Sequence, residues 1–153
     1  MKKLIIIAAL ISFIYGDNLT SIITHPYNID FTKKVSITTL IKEIGIPEHE
    51  DSVSSIDDNI EIRYPKFTCY LALDNEGKTF LYTIKIKRGN LGTIRIGMSK
   101  RNFIKKFGKP AEKESLKNRE IYYYYYHKNS ARYLLSLEFK NKRLSSLFIN
   151  KYI

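Results

Sequence analysis

Two stretches of the chain space their hydrophobic residues as amphipathic helices do. In the first stretch, residues 35–47, apolar side chains recur at the i, i+3, i+4 and i+7 positions of one helical face; they are Ile37, Leu40, Ile41 and Ile44. Ser36 is the predicted N-cap, since its hydroxyl accepts a bond from a first-turn N–H. Gly45 and Pro47 follow the last apolar residue, so the helix is expected to end there.

The second stretch, residues 93–110, predicts a helix with the same signals. Its apolar face is formed by Phe103, Ile104 and Phe107. Ser99 is the predicted N-cap. Gly108 stands where a left-handed αL cap needs a residue without a Cβ atom, and Pro110 cannot continue the helix.

The two stretches are related by a constant shift in sequence number. When 63 is added to each number of the first stretch, six positions are identical: Ser36 and Ser99, Ile41 and Ile104, Lys42 and Lys105, Gly45 and Gly108, Pro47 and Pro110, and Ser52 and Ser115. Coincidence is the alternative, because Ile and Lys are common in this chain. The identical Gly-x-Pro at both helix ends favours an internal duplication.

After each helix, hydrophobic residues alternate with polar ones, as in half-buried strands. The predicted strands are 59–64, 68–74 and 79–87 after the first helix, and 120–127, 132–139 and 144–151 after the second. The polar connectors 47–58 and 110–119 are each expected to hold a turn or an edge strand. The predicted fold class is therefore α+β, with two tandem units of a helix and an antiparallel sheet, and the helices on one face of the sheet.

These patterns divide the chain into four parts. Residues 1–16 resemble a signal peptide, and residues 17–34 form a lead-in segment with little periodicity, in which one edge strand remains an alternative. The first helix and three-strand unit covers residues 35–90. The second unit covers residues 91–153.

The motif Ile94-Arg-Ile-Gly-Met-Ser99, followed by Phe103 and by Phe107-Gly-Lys-Pro110, resembles the SmpA/OmlA (BamE-like) family of small envelope proteins. That family shows Gly-Met-Ser/Thr, an apolar helix position, Leu-Gly-x-Pro and then antiparallel strands. Two such units in tandem resemble the β-lactamase inhibitory protein, whose BLIP-like fold packs helices on one face of an antiparallel sheet. The resemblance implies an envelope protein. SmpA/OmlA members are typically lipoproteins with one unit, whereas this chain has two units and Cys69 as its one cysteine.

The N-terminus indicates export. Lys2 and Lys3 precede an apolar run over residues 4–15, and the small residue Gly16 ends it. This is the pattern of a secretory signal peptide with cleavage after Gly16. A buried core helix or an uncleaved anchor is the alternative. With no cysteine near the predicted cleavage point, we expect a soluble periplasmic or secreted protein.

Composition narrows the function classes. The 153 residues contain 26 Lys and Arg against 15 Asp and Glu, a formal charge of +11, which favours anionic partners. Export argues against nucleic acid as that partner. His25, His49 and His127 are scattered, with no ligand spacing, so neither a metal site nor a cofactor is expected. No catalytic motif is visible, and we expect no enzyme. Cys69 is expected to be a small buried residue, with an intermolecular disulfide as the alternative.

The most distinctive stretch is the run of five tyrosines at residues 122–126. Shifting by 63 maps the apolar Ile60 and Ile62 onto Tyr123 and Tyr125, which predicts that these two rings are core. The same mapping predicts an open aromatic face. Its proposed partner-binding residues are Tyr122, Tyr124, Tyr126, Arg132, Leu134 and Phe148. Packing of this stripe on the first unit or on the N-terminal segment is the alternative.

The sequence therefore predicts an exported, non-catalytic protein that recognises an envelope or extracellular protein through this face, because Tyr and Arg concentrate binding energy at interfaces. The alternative is binding of an anionic envelope lipid or glycan, driven by the positive charge. The sequence does not predict the oligomeric state.

Overall fold

A computed structural model of the chain describes residues 19–47, 53–56, 59–128 and 130–152. The predicted signal peptide, His49 and Asn129 lie outside these ranges. No helix of the described ranges is long and apolar enough to span a membrane.

The described chain contains three helical segments, a 3₁₀ turn and ten strands. The helical elements are α1 (residues 19–24), the 3₁₀ turn Pro26–Asn28, α2 (Ile37–Ile44) and α3 (Lys100–Phe107). The strands of the first half are β1 (Val53–Ile56), β2 (Asn59–Arg63), β3 (Phe67–Leu73) and β4 (Thr79–Ile86). Those that follow are β5 (Asn90–Leu91), β6 (Ile94–Arg95), β7 (Glu112–Leu116), β8 (Arg119–Lys128), β9 (Ala131–Lys140) and β10 (Arg143–Tyr152).

Eight of these strands form one antiparallel sheet in the order β1-β2-β3-β4-β10-β9-β8-β7, and β5 pairs with β6 separately. The α+β class with a mostly antiparallel sheet is thereby confirmed. The six strands predicted from alternation are all present, each within one residue of its predicted bounds. The two edge strands, β1 and β7, lie in the polar connectors. They complete the sheet at its ends.

Helices α2 and α3 are capped at their N-termini by the predicted serines. In α2, Ser36 Oγ accepts a hydrogen bond from the backbone N–H of Thr39 at 3.2 Å. In α3, Ser99 Oγ accepts one from the backbone N–H of Asn102, also at 3.2 Å. Each bond satisfies a first-turn donor that has no partner within the helix.

Both helices end at the predicted glycines, but in a different conformation from the predicted αL cap. Gly45 has φ 104° and ψ 174°, and Gly108 has φ 86° and ψ −178°. These values combine positive φ with extended ψ, a region that is essentially restricted to glycine. The chain therefore leaves each helix in an extended direction towards the proline that follows.

One side of the sheet forms the core. On β9, alternate residues are buried, at no more than 1% exposure: Tyr133, Leu135, Leu137 and Phe139. Helix α3 contributes Phe103, whose ring lies edge-to-face on Phe139 with the centroids 6.0 Å apart. Such aromatic pairs add to the stabilisation that comes from burial alone.

The lead-in segment belongs to this core. Four of its apolar residues are no more than 1% exposed: Leu19, Ile23, Ile29 and Phe31. Val35, the first residue of the unit that follows, is 3% exposed. The Tyr133 hydroxyl donates to the carbonyl oxygen of Phe31 at 3.1 Å, and the backbone N–H of Leu81 donates to the carbonyl oxygen of Val35 at 2.7 Å. The edge strand that the sequence left open as an alternative is not found in residues 19–34, which are helical or irregular. Ile29 and Phe31 lie in irregular backbone, so their burial leaves no periodic signal.

Cys69 lies on the core side of β3 and is fully buried. Burial raises the pKa of its thiol to about 12. The structure thus agrees with the expected small buried residue. An intermolecular disulfide would require the thiol to leave the core.

Candidate functional site

The side of the sheet opposite the core carries a cluster of large apolar side chains on β8, β9 and β10. We call it the aromatic patch, and it consists of Tyr123, Tyr125, Leu134, Phe148 and Tyr152. The register places these residues on one face, because residues directly opposite in an antiparallel ladder point to the same side. Tyr125 lies opposite Leu134. Tyr125 is 48% exposed and Tyr152 is 53% exposed, so two rings of the patch face solvent.

The exposed end of the aromatic patch is a shallow, mainly apolar depression of ≈ 400 Å³. The residues that line it include Tyr125, Tyr126, Arg132, Leu134 and Tyr152. Arg132 lies opposite both His127 and Tyr152 in the ladder. The depression thus combines aromatic rings with a guanidinium group, the residue types that concentrate binding energy at protein interfaces.

Acidic residues of β7 face the other end of the aromatic patch. The Tyr123 hydroxyl donates to a carboxylate oxygen of Glu114 at 3.0 Å. The pKa of Tyr123 is raised, first by burial and then by this hydrogen bond. Tyr123 is therefore held by a residue of β7 at one end of the aromatic patch. Tyr125 and Tyr152 line the depression at the other end, where a partner could contact them.

The structure reverses the predicted faces of β8. Tyr122 and Tyr124 are only 4% and 5% exposed. They lie opposite the buried Leu137 and Leu135. Tyr126 is partly buried and packs against the same core. The prediction that these residues form an open binding stripe is therefore wrong for Tyr122 and Tyr124, whereas Tyr126 lines the depression beside Tyr125.

The two tyrosines assigned to the core are on the other side. Tyr123 is half-buried, and Tyr125 is exposed. Burial raises the pKa of Tyr124, and its ring lies edge-to-face on Phe103, with centroids 5.7 Å apart. Tyr124 thus has the core role that the sequence pattern assigned to Tyr123.

The error arises because the shift between the two halves is not constant. Each half has a row of three buried residues on its second, third and fourth strands: Ile62, Cys69 and Ile84, and Tyr122, Leu137 and Leu147. The shift in sequence number from Ile84 to Leu147 is 63, but the shift from Ile62 to Tyr122 is only 60. The difference between these shifts is an odd number, and an odd change moves every side chain of a strand to the opposite face.

A pair of matching hydrogen bonds gives the same shift independently. The Tyr64 hydroxyl donates to the carbonyl oxygen of Gly45 at 3.1 Å, and the Tyr124 hydroxyl donates to that of Gly108 at 2.9 Å. The two glycines keep the shift of 63, whereas the two tyrosines have the shift of 60. Aligning Tyr64 with Tyr124 in the sequence would have assigned the faces of β8 correctly.

The remaining predicted site residues lie on the open side. Arg132 is exposed, and Leu134 and Phe148 are half-buried. Lys85 Nζ lies 4.8 Å from the centroid of the Phe148 ring, a cation–π contact. The structure brings these three residues together with Tyr123 and Tyr125. Their role in binding stays a prediction.

A second feature of the open side, which sequence reasoning missed, is a groove of ≈ 430 Å³ at the end of β2, β3 and β4. We call it the basic groove. Five cationic residues and one carboxylate line it: Arg63, Lys66, Lys85, Lys87, Arg88 and Glu61. The sequence signal was the alternation of Lys85 and Lys87 at the end of a strand, which places both on one face.

In the described part of the chain, no group of three or more His, Cys, Asp or Glu residues is arranged to hold a metal ion.

Comparison with known proteins informs the fold. No family model matches the sequence, and no curated protein matches it at a significant level. The structure is similar to a crystal structure of a DUF4309 family protein, YjgB, from Bacillus subtilis, with a TM-score of 0.55 and 10% sequence identity. The match covers 92% of this chain and 97% of the other. At this identity the likeness shows a shared fold alone.

A second similar structure is a cysteine-rich secretory protein from Staphylococcus aureus. Its TM-score is 0.44 at 9% identity, and the match covers 76% of this chain and 44% of that one.

Proposed function

We propose that this chain is a non-catalytic binding protein that docks an envelope or extracellular protein on the aromatic patch. The observation that carries the proposal is the pair Tyr125 and Tyr152, each about half exposed beside an apolar depression. When a partner covers large rings in such positions, burial of their apolar surface contributes favourably to the free energy of binding.

The positive charge on and around the aromatic patch indicates which kind of partner surface would fit it. Arg132 flanks the aromatic patch, and Lys85 lies beside Phe148. The formal charge of the whole chain is +11, and removal of Lys2 and Lys3 with the signal peptide leaves +9. Complementary charge speeds encounter and suppresses wrong partners. The fitting partner is a protein whose docking surface has an apolar centre and acidic residues on the side that meets Arg132 and Lys85.

We also propose that the sheet was built by duplication of one helix-plus-sheet unit, with the helices on the core side. The equivalent bonds from Tyr64 to Gly45 and from Tyr124 to Gly108 support this proposal. So does the central pairing of β4 with β10, which places the two halves in mirrored strand order. Such a duplication would give the BLIP-like arrangement of two SmpA/OmlA-like units that the sequence motif implies.

Export completes the proposal. The Lys2-Lys3 pair and the apolar run over residues 4–15 support a signal peptide, and an exported chain meets envelope proteins. Mass spectrometry of natively produced protein is expected to find a mature start at or near Asp17. Recovery of intact Met1 in the cytosol would contradict both the compartment and the proposed partner class.

The binding proposal is tested with a double variant, Tyr125→Ala/Tyr152→Ala. A partner is first identified by crosslinking to the wild-type protein in its native envelope, and its affinity is then measured with purified proteins. We expect the double variant to bind about 30-fold more weakly, a loss of about 2 kcal/mol typical of an interface hot spot. Its melting temperature should change little, because both rings are exposed.

A matched control removes exposed apolar surface elsewhere. Ile46 is 79% exposed and Leu116 is 40% exposed, and neither lies in the aromatic patch. Ile46→Ala/Leu116→Ala should bind as the wild type does. If the control weakens binding as much as the patch variant, or if the patch variant binds normally, the partner does not dock on the aromatic patch.

A further inference from the structure

The basic groove brings together cations from two strands, from the turn between β2 and β3 and from the segment that follows β4. Arg63 on β2, Thr68 on β3 and Lys85 on β4 lie directly opposite one another in the ladder. They therefore share the open face. Lys66 lies in the turn between β2 and β3, and Lys87 and Arg88 follow β4. Residues from two separate stretches of the sequence, 61–70 and 85–88, thus surround one groove.

The positive charge of the basic groove is poorly balanced by carboxylates. Its one lining carboxylate, Glu61, forms an ion pair with Arg63 at 3.7 Å. Among the described residues, no carboxylate forms an ion pair with the other four cations, which are Lys66, Lys85, Lys87 and Arg88. Hydroxyl groups of Thr68 and Tyr70 also line the groove and can donate hydrogen bonds.

The excess of positive charge in the basic groove affects the pKa of Lys85. Its pKa is lowered, first by burial and then by the positive charge of Lys87, although Glu61 and Glu138 act in the opposite direction. An anion placed between Lys85 and Lys87 would relieve the repulsion between them.

Several converging cations suit a multiply charged anion better than a single carboxylate. A phosphate group carries up to two negative charges and offers oxygens to several donors at once, and guanidinium groups bind it through two parallel bonds. Arg63 and Arg88 supply guanidinium groups here, and the lysines supply point charges. The size of the groove, ≈ 430 Å³, accommodates a phosphate together with part of the molecule that carries it.

We propose that the basic groove is a binding site for a phosphate-bearing anion, with Lys66, Lys85, Lys87 and Arg88 as its principal ligands. The phosphate belongs either to a soluble phosphate compound or to an anionic lipid headgroup. The proposal is independent of the aromatic patch. One ladder row nevertheless joins the two features, since Phe148 lies opposite Lys85.

The test compares two double charge reversals with equal changes in net charge. Lys87→Glu/Arg88→Glu alters the basic groove. Lys109→Glu/Lys117→Glu alters two exposed lysines outside it. The soluble probe is pyrophosphate, measured by isothermal titration calorimetry at low and high salt. The lipid probe is a vesicle of phosphatidylglycerol and phosphatidylcholine, measured by co-sedimentation.

We expect the wild type to bind at least one of these probes and binding to weaken as salt screens the charges. The groove variant should lose about tenfold or more in affinity, as expected when charge-assisted bonds are removed. The control variant should lose less than about threefold, because exposed charges at a distance are screened. Loss with pyrophosphate identifies a soluble ligand, and loss with vesicles alone identifies a lipid headgroup.

Two results would overturn the proposal. Equal losses in the two variants would show that net charge, and not the basic groove, attracts the anion. Absence of wild-type binding to both probes would show that the groove takes no phosphate. Circular dichroism of both variants checks that the fold is intact, and Lys85→Met, which keeps an apolar stem beside Phe148, gives a third measurement if the groove variant does not fold.

Discussion

Substitution of neighbouring tyrosines on β8 tests the assignment of the two faces. Tyr124 is 5% exposed, its ring contacts Phe103, and its hydroxyl donates to the carbonyl oxygen of Gly108. Tyr124→Ala removes a buried ring and leaves a cavity, so we expect a loss of about 3–5 kcal/mol in the free energy of unfolding. Tyr123→Ala removes a half-buried ring with one bond to an exposed carboxylate, and we expect less than about 1.5 kcal/mol.

A third variant separates the contribution of the Tyr124 ring to stability from that of its hydroxyl group. Tyr124→Phe keeps the packing on Phe103 and removes only the bond to Gly108, which is expected to reduce stability by about 0.5–1.5 kcal/mol. Urea denaturation of the three variants, followed by circular dichroism, measures all these differences. The two alanine variants share the same strand, so strand propensity largely cancels. Equal losses for Tyr123→Ala and Tyr124→Ala would refute the assignment of opposite faces.

Two further predictions concern the helix end and the lead-in segment. Gly108→Ala should reduce stability by roughly 1–3 kcal/mol through backbone strain, because positive φ with extended ψ resists a Cβ atom; Lys109→Ala is the control, and equal denaturation midpoints would contradict the argument. The pKa of Asp30 is lowered to about 2, first by a hydrogen bond from Thr32 and then by one from Lys33. The carboxylate therefore stabilises the fold above its ordinary pKa of 3.8, and this contribution is lost as the pH falls from 3.8 to about 2. Urea midpoints of Asp30→Asn should decrease less than those of the wild type across this window; parallel curves would show that Asp30 contributes nothing.

The helices were predictable because their signals are local. Ser36 and Ser99 cap the turns that follow them, and the glycines that end both helices lie within ten residues of the caps. Strand positions were predictable for the same reason, since alternation is visible in any short window.

The faces of β8 were not predictable from its own residues, because all five positions of the run are tyrosine and alternation is invisible there. The assignment relied on a shift that holds for Ile84 and Leu147 but not for Ile62 and Tyr122. A pairing partner would have decided it, since Leu135 and Leu137 are plainly core residues.

The basic groove was hidden for a different reason. Arg63 and Lys85 lie on strands that are not consecutive in the sequence, and only the intervening β3 brings them into one row. A run of charged residues is usually a solvated surface, so the sequence alone gives no reason to single out these lysines. Site residues that converge through sheet register become visible only when the register is known.

The pairing of β4 with β10 has a consequence for how the chain folds. It places Ile84 directly opposite Ile149, although α3 and the strands from β5 to β9 lie between them in the sequence. Every other pairing in the large sheet joins strands that are consecutive in sequence. Loop closure over a long segment is entropically unfavourable until the contacts at its ends are made. The two sets of consecutive antiparallel strands, β1 to β4 and β7 to β10, are therefore expected to form first. The pairing of β4 with β10 is expected to form last, and this step joins the two partial sheets into one.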